Sequence, residues 1–334
     1  MDILTALGFR ASGRNALPVY KEICVLTIFF LVLTLIIHMY RITDFMIFCI
    51  YVMSFDLLYG YLGLLSFGHV LYLGVGVYIS VLFSIYINSN PLLSLLAGTL
   101  GGGIIAAILG LIVVKLDGAS FALVNLAFSQ IGYFLVSSTF QKLTHGTDGI
   151  SSRVDAWGFL NFSNEYITFS FILISMLLVF YLLRKLTSSP FGVLIRSIKE
   201  NETRVTFLGY NTFLYKWITF FIAGTIASFA GGIYTLYVQY VSPTVLNPLD
   251  NIDPILAVLI GGAGNLYGAI AGGLLFMIMK DWLSSHFAVW QWVLGIILLI
   301  ISFWFRHGFT GFVMAIRNYQ RKKAVIYDQN GAQG

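Results

Sequence analysis

The 334 residues are 58% hydrophobic and only 10% charged, with a formal net charge of +5. Soluble globular chains carry about 25% charged residues, and a fold of this size leaves too much surface facing water to hide so much apolar side chain. Composition therefore excludes a water-soluble domain and places the chain in a lipid bilayer, in agreement with a mean hydropathy of +0.88.

A spanning helix needs about 20 mostly apolar residues. Residues 1–22 are polar and basic and read as a cytoplasmic N-terminus. The first apolar run, 23–40, is too long for a signal-peptide core, and no small-residue cleavage site follows it; a retained first span is expected. Further spans are expected at 43–59, 68–87, 91–114, 119–139, 166–183 and 213–237. Each must be helical, because lipid offers backbone polar groups no partner, and the alternation of a membrane strand is absent. Residues 253–283 would run about 46 Å as one straight helix, longer than a hydrocarbon core of about 30 Å. Gly261-Gly262-Ala263-Gly264-Asn265 should break them into a hairpin or re-entrant pair. A last span, 288–305, precedes a cytoplasmic tail, 306–334. The expected fold is an all-α polytopic transmembrane helix bundle of nine or ten helical segments, with one membrane domain over 23–305.

Most of the basic residues fall in three segments: Arg10, Arg14 and Lys21; Arg184, Lys185, Arg196, Lys199, Arg204 and Lys216; and Arg306, Arg317, Arg321, Lys322 and Lys323. In a membrane protein such clusters mark the cytoplasmic side, not an affinity for nucleic acid. The 238–252 loop has no basic residue and is expected outside. Gly98-x-x-x-Gly102 and Gly268-x-x-x-Gly272 suit close helix packing. Cys24 and Cys49 lie in apolar runs and give neither a disulfide framework nor a metal pattern.

The connector 184–212 is far longer than a turn requires. Pro190 suits a helix start and Gly209 a stop. Phe191, Leu194, Ile195 and Ile198 share one helical face, and Val205 and Leu208 continue an apolar stripe in a second short helix. Arg196, Lys199, Glu200, Glu202 and Arg204 occupy the other faces. Two readings fit: a connector lying on the lipid surface, or a helix pair that docks in a groove of a soluble partner.

Among intramembrane polar residues, Asp56 is costly, by about 2.5–3.5 kcal/mol on insertion scales, and should face a partner or a wet cavity; helix packing is the other reading. Asn125, Ser129 and Gln130 are candidates for a polar pathway or for interhelical hydrogen bonds. Ser66 and His69 stand at a helix start, where Ser66 suits a cap; His69 has no second ligand at metal spacing. Thr147, Asp148 and Arg153, with Lys142 and Asp155, form a charged external loop suited to a binding protein or simply to solvent. No Gly-Lys pair occurs, so no phosphate-binding loop is present. No triad or carboxylate pair points to an enzyme.

Several stretches together resemble the branched-chain amino acid ABC permeases of the LivM type. Gly60-Tyr-Leu-Gly-Leu-Leu-Ser-Phe-Gly-His69, continued by Gly74-Val-Gly-Val-Tyr78, resembles that family's "GYxGLLSFGH" signature. Thr144-His-Gly-Thr-Asp-Gly-Ile150 resembles its external "TGGxDGL" loop, with His145 in place of a glycine. Val241-Ser-Pro243 and Leu259-Ile-Gly-Gly-Ala-Gly-Asn-Leu-Tyr-Gly268 resemble its "SP … GGxGxxxG" region, and Gly192 to Gly209 its coupling loop. Asp56-Leu-Leu58 stands where the family usually has Asn-Leu-Leu.

The resemblance implies an importer in a bacterial or archaeal cell membrane. A second, related permease subunit would complete the pathway, two cytoplasmic ATPases would carry ATP and Mg, and an external binding protein would deliver cargo. The coupling residues would be Phe191, Leu194, Ile195, Arg196, Ile198, Lys199, Glu200, Glu202 and Gly209. Permeases for urea or short amides look similar. A stand-alone ion-coupled transporter would instead show paired broken helices in two symmetric halves, and a structural subunit without transport is the third alternative.

Overall fold

A computed structural model describes residues 19–152 and 161–287, with 292, 293, 295 and 296. Among the described residues the chain forms eleven α-helices. They are α1 (Val19–Leu33), α2 (Met39–Asp56), α3 (His69–Tyr86), α4 (Pro91–Val113), α5 (Gly118–Phe134), the single turn α6 (Gln141–Thr144), α7 (Glu165–Ser188), α8 (Pro190–Phe207), α9 (Thr212–Val238), α10 (Ile252–Gly261) and α11 (Leu266–His286). π-Helical turns extend α2 over Leu57–Leu62 and α5 over Leu135–Thr139. Strands β1 (Ile150–Ser151) and β2 (Tyr240–Val241) pair antiparallel, Ile150 opposite Val241. Among the described residues seven helices are long and apolar enough to cross a membrane: α2, α3, α4, α5, α7, α9 and α11. The chain is thus the all-helical, multi-pass protein that composition required.

Asparagine sets several helix starts. The Asn90 side chain accepts from Leu92 N–H at 3.0 Å, with Pro91 following it. Asn164, Asn211 and Asn265 cap α7, α9 and α11 in the same way, at 3.0, 3.3 and 3.1 Å. Each bond satisfies one of the N–H groups that a helix start leaves without an intrahelical partner.

The bounds of the first expected span shift: helix α1 covers Val19–Leu33 rather than 23–40. Thr34 Oγ1 donates to the Leu31 carbonyl at 2.7 Å, and the Leu35 and Ile36 amides donate three residues back, at 3.1 and 3.0 Å. These bonds tighten the last turn and end the helix before residue 40. Helix α2 then begins at Met39 rather than near residue 43. The predicted break in 253–283 is present, between α10 and α11. The expected last span 288–305, the tail 306–334 and Arg10 and Arg14 lie outside the described residues.

Helices α3, α4 and α9 pack through small residues. Gly76 lies against the Ser228 backbone, Gly98 against Gly76 and Ser80, Gly102 against the Ser228 side chain, and Gly224 against Ala106. Ser228 Oγ donates to the Tyr72 carbonyl at 2.8 Å, and Thr235 Oγ1 to that of Val77 at 3.2 Å. Such hydroxyl bonds and close backbones hold helices where lipid removes the hydrophobic drive for association.

The bundle has two distinct ends. At one, Arg184 at the close of α7 pairs with buried Glu22 at the start of α1, at 3.2 and 3.3 Å. Lys216 at the start of α9 pairs there with Asp117 at 3.1 Å and with Glu202 of α8. The opposite end carries the β1–β2 pairing and the ion pair Arg41–Asp281 at 3.5 Å. The starts of α1 and α9 therefore share an end with the close of α7, as the expected count of crossings requires.

Candidate functional site

Helix α8 lies across the first end. Pro190 occupies its first turn, and Asn201, at φ −161° and ψ 96°, interrupts it. It is therefore a helix pair around a kink. Ile195, Ile198 and Val205 are buried, and Phe191 and Leu194 half-buried, so the predicted apolar face docks on the bundle. The stripe does not continue to Leu208, which is 70% exposed beside Phe207 at 87%. Just past the kink's second helix, Gly209 turns the chain at φ 87°, leaving a protruding apolar tip.

The charged residues of α8 divide. Arg196 stacks over the Tyr61 ring, 4.8 Å from its centroid, and donates to the Thr187 carbonyl at 3.3 Å. Lys199 Nζ donates to the Gly60 carbonyl at 2.7 Å. Glu202 is engaged with Lys216. Glu200 and Arg204 remain exposed. Long side chains place their charged heads away from their own helical face, so three residues that a helical wheel assigns to solvent reach back into the chain.

What Lys199 reaches is a junction of three segments. The π-helical turn Leu57–Leu62 closes α2, and Gly63, at φ 86°, reverses the chain. Gly60 within that turn meets the backbone of Gly264, in the break between α10 and α11. The break needs Gly262 at φ 99° and Gly264 at φ 80°, a region that side-chain-bearing residues avoid. Asp56, fully buried, accepts the Gly264 N–H through Oδ1 at 2.8 Å. A Cβ on Gly60 would strike both the Asp56 carboxylate and the Gly264 nitrogen. One peptide, that of Gly60, thus touches α8 through its carbonyl and the hairpin through its Cα. The acid is packed against the hairpin, not turned toward an open cavity.

A second polar cluster surrounds the start of α3, which lies inside the bundle beside α2. His69 is buried, its Nε2 2.9 Å from Ser54 Oγ and its ring stacked on Tyr51 at 5.3 Å. Ser66 Oγ accepts from Gly68 N–H at 3.3 Å, a local turn at the helix start. Asn125 and Ser129 are buried, whereas Gln130 is exposed on another face of α5. Asn125 Nδ2 donates to its own helix, at the Phe121 carbonyl, 2.8 Å away.

Asn251, absent from the sequence-based candidates, binds this cluster together. Its Oδ1 accepts from Val70 N–H at 2.8 Å, and its Nδ2 donates to Ser129 Oγ at 3.4 Å and to the Pro248 carbonyl at 2.9 Å. The signal available was its place in an Asn- and Pro-rich stretch leading directly into the glycine-broken hairpin. Among the described residues no group of His, Cys, Asp and Glu could hold a metal ion.

At the opposite end, Thr147 and Asp148 are exposed, and Arg153 and Asp155 lie outside the described residues. His145, in the glycine position of the resemblance, is held at φ 55°. In the stretch leading into α10, burial, reinforced by the charge of Asp253, raises the Asp250 carboxyl above the usual carboxylate range, against a lowering by Lys280.

Residues 21–302 match the family described as branched-chain amino acid transport system, permease component. The chain is 26% identical to a probable branched-chain amino acid transport permease protein LivM of Methanocaldococcus jannaschii, over 82% of this chain and 88% of that one. It is 23% identical to the high-affinity branched-chain amino acid permease protein LivM of Escherichia coli, over 79% of this chain and 67% of that one. A nucleoside ABC transporter permease protein, NupC of Lactococcus lactis, is 25% identical over 60% of this chain and 68% of its own. No solved structure matches the chain.

Proposed function

The chain belongs to the branched-chain amino acid transport system permease family, and on that premise we propose that it forms half of the pathway of an ATP-driven importer for branched-chain or related hydrophobic amino acids. It is a permease component of an ABC transporter, a transporter rather than an enzyme. Its pathway partner is a related permease, and a LivH-type relative is 26% identical over 55% of this chain. In this reading the α8 end is cytoplasmic. Two ATP-binding subunits dock on α8, carrying ATP and Mg, and an external binding protein meets the loop that includes Thr147, Asp148 and Arg153.

The observation that carries the reading is the contact of Lys199 with Gly60, itself in contact with Gly264. A displacement of α8 reaches the hairpin through one peptide. Phe207 and Leu208 supply the knob that a groove in the ATPase would cover. The test is copurification. Replacing Phe207 and Leu208 together by Asp should abolish co-elution of the ATPase while the permease stays folded. Undiminished co-elution rejects α8 as the dock.

For cargo, the nucleoside permease among the relatives supports a second reading. Binding of leucine, isoleucine, valine, nucleosides and urea to the cognate binding protein decides among them. Affinity confined to nucleosides or urea replaces the amino-acid reading.

A further inference from the structure

At the end of the bundle opposite α8, a crevice of about 790 Å³ opens between the start of α2, the close of α9 and the close of α11. That volume falls among small-molecule sites, which run from roughly 300 to 1,000 Å³. Its charged lining residues are Arg41, Asp44 and Asp281, and its aromatic wall includes Tyr234, Tyr237 and Trp282. Arg41 reaches Asp281 only at 3.5 Å, a long contact between two exposed side chains. Asp44 makes no hydrogen bond or ion pair among the described residues; Lys280, close enough to act on its charge, is engaged with Asp253 at 2.6 Å.

Charge and position narrow the occupant. Two carboxylates against one guanidinium leave the crevice net acidic, so a purely anionic ligand is disfavoured and a ligand carrying a cation is preferred. Aromatic rings add attraction for an ammonium. The single guanidinium, in turn, offers a phosphate a forked donor. Trp and Tyr at the end of a membrane bundle mark headgroup depth. Beside the crevice, Leu35 and Ile36 are 83% and 80% exposed, an apolar surface at the same end of the bundle.

We propose that this crevice holds the headgroup of a zwitterionic phospholipid, its phosphate on Arg41 and its ammonium between Asp44 and Asp281, among the rings of Tyr234, Tyr237 and Trp282. The site rests on the membrane placement of α2, α9 and α11 and is independent of the cargo and of the docking of ATPases.

The test uses the assembled transporter in nanodiscs of phosphatidylglycerol, with and without phosphatidylethanolamine of the same acyl chains. Retained lipid is read by native mass spectrometry, and stability by thermal unfolding. Phosphatidylethanolamine should be retained over phosphatidylglycerol and should raise the unfolding temperature. Asp44→Asn should lower its retention about tenfold, the effect of losing one charge-assisted hydrogen bond. Asp281→Asn, on the exposed rim, should act in the same direction and serves if Asp44→Asn fails to fold. Equal retention of the two lipids, or retention unchanged in both variants, overturns the proposal. So does stabilisation by free leucine in phosphatidylglycerol discs that Asp44→Asn or Asp281→Asn abolishes, because the occupant is then a solute and not a lipid.

Discussion

Asp56 offers the sharpest test of the junction. Its Oδ1 accepts the Gly264 N–H at 2.8 Å from a fully buried position, across 208 residues of sequence. Asp56→Asn keeps an oxygen of the same reach and removes the acid. Asp56→Ala removes both. The two variants lose the charge alike, so the difference between them isolates the acceptor. An amide left buried without a partner costs about 1–3 kcal/mol, and the Ala variant should be less stable than the Asn variant by that amount. Relative to the parent, Asn should be neutral or stabilising, since an acid within a span costs about 2.5–3.5 kcal/mol on insertion scales. Asn is also the residue that the resembled permeases usually carry there. Stability is read by reversible unfolding in mixed micelles titrated with a denaturing detergent, and function by uptake in reconstituted vesicles. Equal stability of Ala and Asn refutes the acceptor role. An Asn variant that folds yet no longer transports shows that the carboxylate itself is required.

Further outcomes follow from other contacts. Lys199→Met removes the 2.7 Å bond to the Gly60 carbonyl; ATPase co-elution should persist while uptake per ATP hydrolysed falls several-fold, and unchanged coupling rejects the contact as a transmission point. Arg184→Met removes the cation facing the Glu22 carboxylate, which is 6% exposed, and should cost about 3 kcal/mol, the low end for breaking a buried pair because Arg184 is only half-buried. Adding Glu22→Gln should restore most of that loss in the same unfolding assay. His145→Gly relieves a left-handed residue at φ 55° and should stabilise the chain by about 1 kcal/mol; a loss of stability would mean that the imidazole makes a compensating contact.

Much of the architecture was legible because bilayer physics is coarse. Apolar run length located the crossings, and a glycine string inside an overlong run located the break between α10 and α11. The amphipathic period marked α8, and Pro190 marked its start. What escaped depended on tertiary distance or on one hydrogen bond. Nothing in the local pattern ends α1 at Leu33; a threonine back-bond and two short amide bonds do. The spacing of Asn125, Ser129 and Gln130 did not show that Gln130, one residue beyond Ser129, leaves the buried face. A helical wheel placed Arg196, Lys199 and Glu202 outward, whereas their flexible stems carry the charges to Tyr61, Gly60 and Lys216. The pairing of Asp56 with Gly264 required the fold itself. Asn251 was overlooked because its role arises only where α3, α5 and the loop before α10 meet.

The small ladder of β1 and β2 has a mechanical corollary. Ile150 and Ser151 are bonded to Val241 and Tyr240, the Ser152 amide donates to the Gln239 carbonyl at 2.8 Å, and Tyr240 Oη donates to the Asp148 carbonyl at 2.9 Å. The surface loop around Asp148 is therefore leashed to the ten or so residues that feed α10. Tugging that loop tugs the root of the hairpin, while α8 reaches its elbow at Gly264 through Gly60, so one lever is held from both ends of the bundle.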